Sequence, residues 1–377
     1  MTEQLIDGDQ SLNKQINISV DRRAYLDGVR GIAILLVAVG HFFYKYDVFK
    51  STWIGLNLFF VLSGYLITQR LYVHLKEGPG LYFKNFYFRR ILRIFPLYYL
   101  CLVIFFLLLP LVYGSYFEFY GQLFQIQGWY WAYASNWLMI NHGLPGQPVF
   151  FHFWSLAVEE QFYLLWPVIF LLIARSRISY WVILILIVAS IILRNYIGVG
   201  LDCYLNTGTV AEALLMGAMI AVLEENKLIE QLKKYFIGLS LIAILTLFFI
   251  YFKNPEPEIV LNEWLMRVGY SAVDYLWAFI LFICASSHQL GFFLKKPLSV
   301  NWLTLLGKYS YGIYVYHWIF LNMFIYKAET ELLSTGINPT IVFFSIRVIG
   351  MAIVLIVSYL SFHIYEKRFL RLKKYFA

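Results

Sequence analysis

Charge is scarce in this chain: only 14% of its 377 residues are Asp, Glu, Lys or Arg. A soluble domain carries about 25%, so a solvated globular surface is excluded over most of the length. Cysteine is rarer still. Cys101, Cys203 and Cys284 stand alone in apolar surroundings with no CxxC spacing, which argues against a disulfide framework or a thiolate metal site and leaves free buried thiols. No HExxH or comparable His and carboxylate spacing occurs, so no metal site is expected. Residues 1–22 lack the basic start, apolar core and small-residue cleavage site of a signal peptide and read as a disordered cytoplasmic tail. No internal repeat or low-complexity tract stands out. What is abundant is apolar: 61% hydrophobic and 20% aromatic residues, the composition of an integral membrane protein.

Apolar windows predict ten helices, near 26–43, 53–73, 94–113, 153–174, 178–197, 206–224, 235–252, 264–286, 302–326 and 341–364. They place an all-α polytopic membrane domain over 23–377. The net charge of +8 does not point to nucleic acid, because the cations sit in short connections on alternate sides of the spans. One side carries Arg70, Lys76, Lys84, Arg89, Arg90 and Arg93, later Arg175, Lys227, Lys295 and Lys296, and finally Lys367 to Lys374. The positive-inside rule then makes both termini cytoplasmic. Segment 114–152, rich in Trp, Tyr and Phe, reads as an interfacial lid or re-entrant piece on the other side.

The first predicted span contains Asp27, Arg30 and His41 in YLDGVRGIAILLVAVGH. At about 100° per residue, the step from Arg30 to His41 is close to three whole turns and Asp27 falls on the same face. The two ends of this stripe lie roughly 16 Å apart. Ionisable groups within a span usually mark a pathway or an active site, and histidine suits proton transfer near neutral pH. Arg90 and Arg93 in FRRILRIFP lie one turn apart and read either as an orientation signal or as a phosphate clamp, each guanidinium fork binding two oxygens. Ser155 and Glu159 in FWSLAVEEQFYLLWP share one helix face at the depth of His41. His317 reaches a similar depth in the ninth span, and Ser63-Gly64 in FFVLSGYL reads as a close helix contact. From most of His74, His142, His152, His288 and His363, near predicted ends or loops, no ligand role is expected.

Taken together and in this order, LDGVRGIAILLVAVGHF with its Arg-x10-His spacing, FFVLSGYLIT, FRRILRIFPLYY, FWSLAVEEQFYLLWP, LGKYSYGIYVYHW and the terminal SFHIYEKRF resemble the membrane-bound acyltransferase-3 family. Its members transfer acyl groups, commonly acetyl, onto hydroxyls of cell-surface carbohydrates and related molecules. The resemblance covers nearly the whole chain and is to the stand-alone form, without an esterase-like domain. It implies that His41 is the principal catalytic residue with Arg30 as its signature partner, that Arg90 and Arg93 serve acyl-CoA, most simply acetyl-CoA, as a co-substrate with no permanently bound cofactor, and that Ser155 and Glu159 belong to the catalytic or acceptor-side cavity. Ser63 and His317 complete the expected substrate-binding set. Two departures stand out: relatives often carry an Arg two residues before the acidic residue of span six, where Val210 precedes Glu212 here, and Glu366 is followed by Lys367-Arg368 where a Glu-x-Pro is frequent.

On this reading His41 acts as general base with Glu159 orienting it, Asp27 fixes Arg30, and a covalent acyl-His route remains the alternative. The expected acceptor is a surface glycan such as a lipopolysaccharide O-antigen, with peptidoglycan, exopolysaccharide or a secondary metabolite as alternatives, and the expected location is the bacterial cytoplasmic (inner) membrane. A transporter or flippase of lipid-linked glycans is the reading from another class.

Overall fold

The computed structural model describes residues 24–114, 121–176, 178–253, 262–286 and 289–376; the expected tail at 1–22 lies outside them. Ten long helices carry the fold: α1 (Ala24–Phe42), α2 (Ile54–His74), α3 (Pro79–Val103), α4 (Phe153–Ile173), α5 (Ser179–Ile197), α6 (Thr207–Glu225), α7 (Ile229–Lys253), α8 (Tyr270–Ala285), α9 (Asn301–Phe320) and α10 (Pro339–Ser361). The chain is an all-α, multi-pass membrane protein. Among the described residues nine helices are long and apolar enough to cross a bilayer. α9 falls outside that class because Lys308, His317 and four tyrosines interrupt its apolar run. It nevertheless runs the height of the bundle, continuing through a π turn at Leu321–Ile325 into Tyr326–Ser334.

The largest departure from the hydropathy windows is α3, which begins fifteen residues before the expected start. Pro79 opens it, where its missing N–H costs nothing. The polar first half therefore belongs to the helix rather than to a loop, and Arg89, Arg90 and Arg93 are fixed on a rigid rod.

Packing is closest between α2 and α6. A Cβ at Gly64 would collide with the Leu214 backbone, and one at Gly217 with the Val61 carbonyl. Two glycines thus let the helix backbones touch, the arrangement small residues give inside membranes. A second such seam joins α1 to α9, where Gly307 rides against the Asp27 carbonyl. It sets the relative height of the first and ninth helices. α7 stands at the rim with Leu241, Ile242, Leu245, Phe248 and Phe252 exposed, the surface that hydrocarbon covers.

The aromatic segment folds into two short helices, Gly121–Trp131 and Ser135–His142. Its backbone is pinned by side chains of the bundle: Tyr98 Oη donates to the Tyr130 carbonyl at 2.7 Å, and Gln161 Nε2 donates to the Tyr133 carbonyl and to Asn136 Oδ1, each at 2.9 Å. With Leu123, Tyr130, Leu138 and Phe150 buried, this piece is packed onto the bundle.

Candidate active site

The site begins at the basic end of the bundle, where the start of α1, the end of α2 and the first half of α3 meet the segment Leu372–Phe376. They enclose a vestibule with about 350 Å³ of room, walled by Asp27, Arg30, Arg70, His74, Arg89, Arg90, Arg93 and Lys373 among others. Six cations thus face one carboxylate. That carboxylate is already committed, since Arg30 Nη1 donates to Asp27 Oδ1 at 2.5 Å, the i,i+3 pairing that α1 geometry supplies. Among the described residues Arg90, Arg93 and Lys373 make no ion pair. Arg90 lies over the rings of Phe86 and Tyr163, 5.9 and 5.1 Å from their centroids. A concave surface of this kind attracts and orients polyanions.

Arg30, Leu66, Arg90 and Arg93 also wall a second, inner cavity of about 110 Å³. The three guanidiniums therefore form a throat between the two spaces. Beyond it the lining turns aromatic and hydroxylic: Ser63, Ser155, Glu159, Tyr163, Ser310, Tyr311 and Tyr314. Tyr163 Oη donates to Glu159 Oε2 at 2.9 Å and also bonds Ser63 Oγ. Ser155 Oγ is bonded to Tyr314 Oη and donates to the His152 carbonyl at 3.1 Å. Ser63 and Gly64 divide their tasks, the serine facing this cavity and the glycine facing α6.

His41 lies past Tyr314, one layer beyond the inner cavity. Its Nδ1 is 2.8 Å from His317 Nε2 and the two ring planes lie within 7° of each other, with the Trp318 ring edge-on to His41 at 4.6 Å. The hydrogen bonds fix the neutral tautomers. His317 Nδ1 is 2.6 Å from the Tyr314 carbonyl, which obliges that nitrogen to carry the proton, and its Nε2 then accepts. His41 must donate from Nδ1, so its Nε2 keeps the free lone pair. A third imidazole, His152, is buried with its ring centre 5.2 Å from that of His317. Its Nε2 lies 3.1 Å from the Val315 carbonyl and its Nδ1 has no partner. Burial first, and His317 second, hold its pKa well below the ordinary histidine value.

The expected pairing of His41 with Glu159 is therefore corrected: the partner of His41 is His317 of α9, while Glu159 belongs with Tyr163, Ser63 and Arg90 in the inner cavity. Predicted depth placed both near one level but could not say which faces of α1 and α4 point at one another. Sequence reading also passed over Tyr163, Tyr314, His152 and Lys373. The tyrosines were indistinguishable from core aromatics, and Lys373 sat in a basic run that topology alone explains.

A separate polar cluster lies between α5, α6 and α8. Arg194 and Glu212 form a buried ion pair, Arg194 Nη2 donates to Ser271 Oγ at 2.5 Å, and Asn57 Nδ2 donates to Asp274 Oδ1 at 2.6 Å. The guanidinium missing two positions before Glu212 is thus supplied by the last turn of the neighbouring helix. Glu366, buried below a π turn at Phe362–Glu366, accepts from Ser361 Oγ at 3.2 Å and faces Arg93.

Comparison with known proteins gives the family. An acyltransferase domain model of the acyltransferase-3 type matches residues 23–363. The chain is 30% identical to the putative peptidoglycan O-acetyltransferase YrhL of Bacillus subtilis (strain 168) over 91% of its own length and 54% of that protein, and 30% identical to the peptidoglycan O-acetyltransferase OatA of Listeria monocytogenes over 79% and 49%. The O-acetyltransferase OatA of Staphylococcus aureus is 28% identical over 84% of this chain and 55% of its own. The chain spans about half the length of these relatives. No solved structure matches significantly. With its match to the family model running from α1 through α10, this multi-pass membrane protein belongs to the acyltransferase-3 family.

Proposed function

We propose that this protein moves an acetyl group from acetyl-CoA on the basic face of the bundle to a hydroxyl of a cell-wall glycan presented at the opposite side. The observation that supports this most is the throat: Arg30, Arg90 and Arg93 belong to both a polyanion-sized vestibule and a hydroxyl-lined inner cavity. Phosphates held by the guanidiniums leave the uncharged pantetheine arm to enter the inner cavity, and the roughly 16 Å from Arg30 to His41 is within reach of such an arm. The dry, aromatic lining protects the thioester from water. The positive-inside rule supports a cytoplasmic basic face, and the bacterial relatives support a location in the cytoplasmic membrane.

In the reaction, His41 Nε2 takes the proton of the acceptor hydroxyl as the hydroxyl oxygen attacks the thioester carbonyl. The carbon–sulfur bond breaks, and the leaving CoA thiolate takes the proton back from the imidazolium, giving the acetyl ester and CoA thiol. His317 holds His41 in the reactive tautomer, and Asp27 orients Arg30. Glu159 and Tyr163 shape the inner cavity beside Arg90. For the acceptor, the names of the relatives favour peptidoglycan over the lipopolysaccharide O-antigen expected from sequence motifs.

The test is a purified protein in nanodiscs supplied with acetyl-CoA and either a soluble peptidoglycan fragment or an O-antigen oligosaccharide. CoA thiol release together with a mass gain of one acetyl on the peptidoglycan fragment supports the reading. Release and acetylation confined to the O-antigen move the acceptor, and no acceptor-dependent release from either overturns the reaction.

A further inference from the structure

Coenzyme A carries two separate groups of negative charge in a fixed order. Counting from the thioester, the uncharged arm comes first, then the diphosphate, then the ribose with its 3′-phosphate. The cations of the vestibule also fall into two tiers. Arg30, Arg90 and Arg93 form the throat shared with the inner cavity, whereas Arg70, Arg89 and Lys373 wall only the vestibule. A donor whose arm passes through the throat places its diphosphate on the first tier and its ribose phosphate on the second.

Lys373 is the member of that second tier supplied by the final turn of the helical run that continues α10 to Phe376. It belongs to Leu372–Phe376, a short segment fastened to α3 at its far end: Arg89 Nη1 donates to the Phe376 carbonyl at 2.9 Å, and the Phe376 ring lies parallel to Phe88, with ring centres 4.7 Å apart and planes within 4°. The fastening holds the side-chain nitrogen of Lys373 at the vestibule wall with Arg70, Arg89, Arg90 and Arg93. No carboxylate pairs with it among the described residues. Like charges held together by a dedicated tether are unfavourable until an anion enters between them. The next residue, Lys374, is exposed and lies over the Tyr375 ring at 4.9 Å, away from the vestibule wall.

From this arrangement, and resting on the acyl-CoA reading above, we infer that the Leu372–Phe376 segment is the outer wall of the donor site and that Lys373 binds the ribose 3′-phosphate, giving the protein a preference for coenzyme A over donors lacking that group.

The experiment compares acetyl-CoA with acetyl-dephospho-CoA, which differ only in the 3′-phosphate, binding to the full chain in nanodiscs of neutral phosphatidylcholine. Wild type should bind acetyl-CoA about tenfold more tightly, the size of one charge-assisted contact. Lys373→Gln should collapse that ratio to within about twofold, Lys373→Arg should keep it, and Lys374→Gln should match wild type. Phe376→Ala, which removes the ring half of the fastening and keeps the carbonyl, should lower the ratio while retaining every cation. Equal binding of the two donors by wild type, or a Lys373→Gln variant that keeps the ratio, overturns the inference and leaves the donor reading standing. Failure of wild type to bind either donor overturns the donor reading itself. A basic cluster that serves anionic lipid instead would show as donor binding abolished by phosphatidylglycerol with no difference between the two donors, which also overturns it.

Discussion

Two clusters of charge lie in this bundle, one buried and one opening to solvent at the basic end, and they obey opposite rules. Between α5, α6 and α8 the guanidinium of Arg194 is matched to Glu212 and its spare donor to Ser271. At the basic end, six cations share one carboxylate, and that carboxylate is already held by Arg30. A charge taken out of water is tolerated when a partner replaces its hydration. The first cluster contains its partners and is complete as folded, whereas the vestibule gathers more cations than the one carboxylate on its wall and leaves room between them. The proposed donor site draws on that excess.

The sharpest way to test that division is to remove a group from each region and read stability and turnover separately. The largest effect is expected at His41: His41→Ala should lower acetyl transfer by about 10² to 10⁴, the range for a general base, with the melting temperature in detergent unmoved. Retained transfer would remove His41 from the chemistry. Next comes the paired cluster. Arg194→Leu leaves Glu212 buried alone and should cost about 3–5 kcal/mol, seen as a large fall in melting temperature, while the double variant Arg194→Leu with Glu212→Leu should recover much of the loss. If the single variant melts like wild type and instead loses transfer, the division between the clusters breaks.

A smaller change is expected from Arg90→Gln with Arg93→Gln. Each charge-assisted contact contributes about 1.5–3 kcal/mol, so KM for acetyl-CoA should rise at least tenfold, with little change in melting temperature. High salt should also raise the wild-type KM. The smallest effect separates positioning from chemistry at His317. His317→Leu should cut kcat about tenfold by freeing the His41 tautomer, whereas His317→Gln, whose amide oxygen can accept from His41 Nδ1, should restore most of it. An equal loss in both would assign His317 to packing alone.

Much of the fold was legible because hydropathy and charge alternation report position along the membrane normal. That information located the helices, grouped the cations at one end and placed His41 and His317 at one depth. It carries nothing about rotation around each helix axis, which is why Glu159 was paired with His41 while α9 in fact brings His317 there. The start of α3 was missed for a related reason: a polar stretch inside a protein crevice looks like a loop to a window that assumes lipid on all sides. Arg194 escaped notice as one polar residue at the end of an apolar helix, because its partner lies on the next helix rather than on its own.

The throat of Arg30, Arg90 and Arg93 has a consequence for the membrane itself. The vestibule at the basic end and the cavity deeper in the bundle meet at this point, where an opening toward water invites ion leakage. Three fixed positive charges at its narrowest point repel protons and metal cations between turnovers, as arginine constrictions do in water channels. When the donor docks, its own bulk replaces that electrostatic barrier with a steric one. As the donor site proposed above, these residues would then also oppose cation leakage while the bundle waits for it.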